Sequence, residues 1–165
     1  MHYDILTSDL IQRAAQLARS LGHSYVGSAH LLLVMAREPG AAGQTLRLLG
    51  MDPDLTEAMA RLLYGMGTPE LPLPQGLTGE SRALLRGAAR EAKILGSLEI
   101  TPQHLLLAMA RRENSDAYEL LKLNGISTDE LFTHAVDYLH WEQGAPVRGK
   151  KEAVTTKLLE QFSED

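Results

Sequence analysis

The chain has 165 residues, a net charge of −5 and no cysteine. That length suits one domain. Without cysteine there is no disulfide framework, thiolate nucleophile or cysteine-ligated zinc, and the acidic balance argues against a duplex-DNA binder, which needs clustered Lys and Arg. Thirty Leu and nineteen Ala stand against five Val and five Ile, a ratio that predicts an all-α fold because Leu and Ala favour helices and β-branched residues favour strands. The start, Met1-His2-Tyr3-Asp4, lacks the basic and apolar segments of a signal peptide. The longest apolar run, Leu31 to Ala36, is too short to cross a bilayer. A cytoplasmic protein with no membrane or nucleic-acid partner is the expectation.

A repeat organises the chain. His30-Leu-Leu-Leu-Val-Met-Ala-Arg37 recurs as His104-Leu-Leu-Leu-Ala-Met-Ala-Arg111, identical at seven of eight positions with an offset of 74. Upstream, Leu10, Ile11, Ala14, Ala18, Leu21 and Gly22 match Leu84, Leu85, Ala88, Ala92, Leu95 and Gly96 at the same offset. Downstream, Leu48-Leu49-Gly50-Met51 matches Leu123-Asn124-Gly125-Ile126 after a one-residue slip. Such self-similarity is the mark of a tandem duplication.

Each copy predicts four helices. In the first, Leu10, Ile11, Ala14, Leu17, Ala18 and Leu21 form one apolar stripe and Gly22 supplies the stop. The second starts near Ser28 and is apolar all round from Leu31 to Ala36, as a central buried helix should be. A third covers about 41–49 and ends at Gly50; a fourth, about 54–64, presents Leu55, Met59, Leu62 and Leu63. The second copy repeats the plan at about 79–95, 102–112, 115–124 and 128–140, with Thr101-Pro102 as cap and first helical residue. The Gly- and Pro-rich stretch 65–78 cannot hold a helix and joins the copies. Two units alone make a marginal array, so the copies are expected to pack on each other as one pseudo-twofold, eight-helix domain. This places the domain at residues 1–140, with repeat one at about 6–64, the linker at 65–78 and repeat two at about 79–140. The remaining 141–165 reads as a polar linker, then a short amphipathic stretch, Val154 to Phe162, with no partner for its apolar face.

Catalytic motifs are few. Gly144-Ala-Pro-Val-Arg-Gly149-Lys150-Lys151 has P-loop spacing, but Lys151 stands where Ser or Thr should ligate magnesium, and His140-Trp141-Glu142-Gln143 precedes it instead of an apolar strand. It reads as a basic linker. The paired His30 and His104 lack any carboxylate or third ligand recurring beside both, so no metal site is expected and structural hydrogen bonding is the favoured role. A small enzyme or free-standing regulator using these two histidines is the alternative. Arg13, Arg19, Arg82, Arg86, Arg90 and Glu91 read as solvated faces. The features most suggestive of binding are the two helix starts, Gly27-Ser28-Ala29-His30 and Thr101-Pro102-Gln103-His104. Backbone N–H groups there, with a hydroxyl beside them, form a natural anion site.

The run Leu21-Gly22-His23-Ser24-Tyr25-Val26-Gly27-Ser28-Ala29-His30-Leu31-Leu32-Leu33 resembles the Leu-Gly-His-x-x-(Ile/Val)-Gly-Thr-Glu-His-(Ile/Leu)-Leu-Leu motif of Clp N-terminal domains, with the ClpC branch the nearest match. The likeness spans about residues 3–140. It implies a docking module that is not itself catalytic, riding on a hexameric AAA+ unfoldase and receiving adaptors or substrates for a partner peptidase. It also implies that 156–165 leads into an ATPase module, that ATP and magnesium belong to such modules and not to this chain, and that this chain alone is monomeric. In the ClpC branch the repeats resemble phosphoarginine receptors, in which a helix start holds the phosphate and a carboxylate pairs with the guanidinium. Here the Glu of the motif is Ala29 in one copy and Gln103 in the other, while Ser28 and Thr101 keep a hydroxyl, Thr101 one position early. Weak or absent phosphoarginine binding is therefore expected, with any residual site in the second repeat.

Overall fold

The computed structural model describes residues 1–67 and 76–142; the P-loop-like segment and the amphipathic stretch at 154–162 lie outside them. Among the described residues there are eight helices in two sets of four. The first set is α1 (Ile5–Ser20), α2 (Ser28–Ala36), α3 (Ala41–Leu48) and α4 (Pro53–Tyr64). The second is α5 (Gly79–Ile94), α6 (Pro102–Arg111), α7 (Asp116–Leu123) and α8 (Thr128–Glu142). None is long and apolar enough to cross a membrane. The chain divides after Ala135, and its first unit, Met1–Ala135, holds α1 to α7 and the first half of α8.

Local chemistry sets the helix ends. Asp4 caps α1 by accepting the Thr7 N–H at 2.8 Å, and Thr78 caps α5 by accepting the Ser81 N–H at 3.1 Å. At the other end of α1, Gly22 takes φ of +74°, so that the His23 N–H reaches Ala18 O and the Gly22 N–H reaches Arg19 O. Gly96 repeats this geometry after α5, at the same φ and with the same pair of bonds. A side chain is strained in that conformation, which is why both copies carry glycine.

The helices lie where their periodicity predicts; two short extended pairings add something that periodicity does not reveal. Strand β1 (His2–Tyr3), at the start of repeat one, pairs in parallel with β2 (Glu99–Ile100) of repeat two. Conversely, Leu77, at the end of the linker leading into repeat two, bridges Val26 of repeat one. The offset of 74 carries Tyr3–Ile100 onto Leu77–Val26, so each copy lends its leading strand to the other. Side chains follow the same exchange: Thr7 Oγ1 donates to Ile100 O at 3.0 Å, and Ser81 Oγ donates to Val26 O at 2.8 Å. This reciprocity is the pseudo-twofold relation expected of the duplication.

The core sits on α2 and α6. Leu31, Leu32, Leu33 and Met35, with their counterparts Leu105, Leu106, Leu107 and Met109, are fully buried or nearly so. Helix α2 touches α1, α3, α4, α5 and α7, which explains why it is apolar on every side. The first turn of α2 faces the seam between the repeats, where Ser28 meets Glu80 and Ala117.

Candidate functional site

Each central helix begins with the same histidine cap. The N-cap residue is Gly27 or Thr101, and its N–H donates to Nδ1 of the histidine three residues on, His30 or His104, at 2.9 Å in both. In repeat one the remaining ring nitrogens form a chain. His30 Nε2 lies 2.8 Å from His23 Nδ1, and His23 Nε2 lies 2.9 Å from Gly65 O. A backbone N–H can only donate and a carbonyl can only accept, so His30 carries its proton on Nε2 and so does His23. In repeat two, Ser97 Oγ takes the place of the second histidine, 3.1 Å from His104 Nε2. Burial, reinforced by neighbouring His23 and only partly opposed by Glu80, pushes His30 down to about 4. Burial also lowers His104, against a smaller pull from Asp4. Both histidines are thus neutral structural caps.

The helix starts differ in what meets them. In repeat one the anion position is already filled from within the chain. Glu80, in the first turn of α5, accepts the Ser28 N–H and the Ser28 Oγ–H, both at 2.7 Å, and the Asp116 N–H at 3.1 Å. Ser28 Oγ in turn accepts the Ala117 N–H at 2.9 Å. One carboxylate and one hydroxyl thereby satisfy the first N–H group of α2 and the first two of α7. No motif around Glu80 announces this role. The repeat shows only that the position has diverged, its counterpart 74 residues earlier being Leu6, which is 54% exposed.

Beside this plug lies a pocket of about 160 Å³ whose lining includes His23, Tyr25, Ala29, His30, Tyr64 and Asp116. Ala29 leaves room where the motif has a glutamate. The pocket keeps an acidic rim: burial and the charges of Glu80 and Glu119 raise the Asp116 carboxyl. Tyr64 donates its hydroxyl to Glu119 at 2.8 Å and is held above the ordinary phenol range, mainly by burial.

At the second helix start, Pro102 occupies the position of Ser28 and brings neither an N–H nor a hydroxyl. Gln103 is 4% exposed, and its Oε1 has no hydrogen-bond partner. The two starts are thus one closed by an internal carboxylate and one with a buried acceptor unmet. His30 and His104 hold separate caps, each bonded within its own repeat. Among the described residues no group of three or more His, Asp or Glu could hold a metal ion.

Comparison with known proteins agrees with this geometry. Residues 6–124 match the model of the Clp repeat (R) N-terminal domain. A probable ATP-dependent Clp protease ATP-binding subunit of Chlamydia pneumoniae is 32% identical over 116 residues, covering 68% of this chain and 14% of that protein. The negative regulator of genetic competence ClpC/MecB of Bacillus subtilis is 26% identical over 154 residues, covering 92% of this chain and 19% of that protein. The chain thus spans less than a fifth of these curated relatives. Among solved structures, the N-terminal domain of ClpD from Arabidopsis thaliana superposes with a TM-score of 0.66 at 19% identity, covering 84% of this chain and 97% of that one. The Hsp104 N-terminal domain of Candida albicans gives 0.65 at 17%, covering 84% and 91%. These two share the fold, and the sequence match carries the lineage: the chain belongs to the family of Clp repeat N-terminal domains.

Proposed function

We propose that this chain is the docking module of a Clp-type ATPase, closest to ClpC, receiving adaptors and protein substrates for an attached unfoldase and its peptidase without catalysis of its own. The observation that carries this reading is the family match over residues 6–124 in a chain that spans only 14% and 19% of the relatives' length. The capped histidines weigh against the small-enzyme alternative, because both ring nitrogens of His30 and His104 are engaged, Nδ1 at the helix start and Nε2 with His23 or Ser97. ATP and magnesium belong to modules outside this chain. Deleting residues 1–142 from the full-length protein is expected to abolish adaptor-dependent degradation while basal ATP hydrolysis survives. Unchanged adaptor-dependent degradation would refute the docking role.

Phosphoarginine binding is weak or absent in this reading. Ala29 offers no carboxylate to a guanidinium, and Glu80 holds the N–H and hydroxyl that a phosphate would need. The second start keeps a neutral acceptor in Gln103, so residual binding belongs there. Calorimetric titration with free phosphoarginine is expected to show no site of micromolar affinity in repeat one; micromolar binding at both repeats would contradict the assignment.

A further inference from the structure

The two copies serve as internal controls for each other, and they differ sharply in one groove. Between α5 and the end of α6 lies a cavity of about 240 Å³ lined by Gly87, Arg90, Glu91, Ile94, Ala108, Arg111 and Arg112. At the equivalent place in repeat one, Arg13 and Glu38 stand for Gly87 and Arg112. There the Arg13 guanidinium lies 2.8 Å from Asp9 and 3.7 Å from Glu38, so repeat one fills the space with its own ion pair. In repeat two both members are gone. Glycine opens the floor, and an arginine replaces the acid.

The charge left behind is positive. Arg111 is paired with Glu91 and stacks 4.5 Å from the centre of the Phe132 ring, which fixes its guanidinium at the groove. Arg90 and Arg112 have no ion-pair partner among the described residues, and Arg86 and Lys93 stand exposed one turn to either side of Arg90. In repeat one the positions of Arg86, Arg90 and Lys93 are Gln12, Gln16 and Arg19; Arg37, the counterpart of Arg111, is consumed by Asp54 and Glu57. The acid in the groove lining is Glu91, already paired with Arg111. In a chain of net charge −5 this is a local reversal of sign. Its floor is apolar, with Ala108 beneath and Ile94, 73% exposed, on the rim.

We propose that the α5–α6 groove of repeat two is a docking site for an acidic segment of a partner protein, with carboxylates meeting Arg90 and Arg112 and an apolar side chain lying over Gly87 and Ala108. Carboxylate forks suit arginine, and the apolar floor selects a peptide over a nucleic-acid backbone. The proposal rests on the docking reading for its biological use. Its test is nevertheless made on this chain alone, so its failure and that of the deletion experiment are separable.

Fluorescence anisotropy with a short labelled peptide of glutamates around a leucine pair is expected to show saturable binding that weakens as salt rises. The double variant Gly87→Arg/Arg112→Glu recreates the self-pair that repeat one already tolerates. It should keep the helical circular dichroism and lose peptide affinity by more than about tenfold, a loss typical of a charge-paired interface. Arg90→Ala should give a smaller loss in the same direction. Binding by the double variant equal to that of the parent would overturn the assignment. So would the absence of saturable peptide binding at low salt, or tighter binding of an oligothymidylate of equal charge.

Discussion

Glu80 ties together two helix starts at the seam. Its carboxylate meets two backbone N–H groups and a hydroxyl drawn from α2 and α7. Substituting Glu80→Ala strands those donors at two helix starts, and we expect a loss of about 1–3 kcal/mol, read as a lower urea midpoint at unchanged m-value. His30 gives a second prediction at this scale. Unfolded histidine titrates near 6.5 whereas the folded ring sits at about 4, so between those values the folded state binds fewer protons. Stability is therefore full above about pH 6.5 and is lost as pH falls towards 4, by up to about 3 kcal/mol. His30→Gln keeps an acceptor for the Gly27 N–H and should flatten that pH dependence in chemical-denaturation curves, whereas His30→Ala should also lower stability at pH 7. At this scale the sequence is informative where residues recur and silent where they do not. The structural role of the paired histidines is readable because the cap geometry is local. That of Glu80 is not, because its partners Ser28 and Asp116 lie 52 and 36 residues away.

Helices are the most legible level. An apolar stripe at the helical period, a glycine stop and a hydroxyl or carboxylate cap are all short-range signals, and they locate α1 to α8 to within a few residues. The all-round apolarity of α2 correctly implies a central position, explained by its five neighbouring helices. Because Leu32 and Leu106 are wholly buried at equivalent places, Leu32→Ala and Leu106→Ala should each cost about 2–5 kcal/mol. The midpoint of thermal unfolding, followed by circular dichroism, should fall in both. β1 and β2 escape sequence reasoning for a physical reason. A two-residue strand has no period to detect, and its partner is fixed only by the packing of the two copies.

For the whole molecule, the exchanged strands mean that neither copy completes its own edge. Ile100 O receives the Asp4 N–H and the Thr7 hydroxyl from the other copy, and Val26 O receives the Thr78 N–H and the Ser81 hydroxyl. The two repeats should therefore unfold together: a single calorimetric transition is expected for the 165-residue chain, with equal calorimetric and van't Hoff enthalpies. Two resolved transitions would show that the repeats are energetically separate. The duplication is plain in the sequence, but the crossing of strands between copies is not, since offset alone does not say which half completes which.

The exchange also bears on ancestry and divergence. A single repeat folded in this way exposes an unfilled strand edge and offers a leading strand that fits the same edge on an identical chain, so its smallest closed form is a twofold dimer. Joining two such units in one polypeptide makes the partnership permanent and removes the requirement that the halves be identical. One half was then free to acquire Glu80, and the other Leu6, at positions that symmetry would otherwise have forced to match.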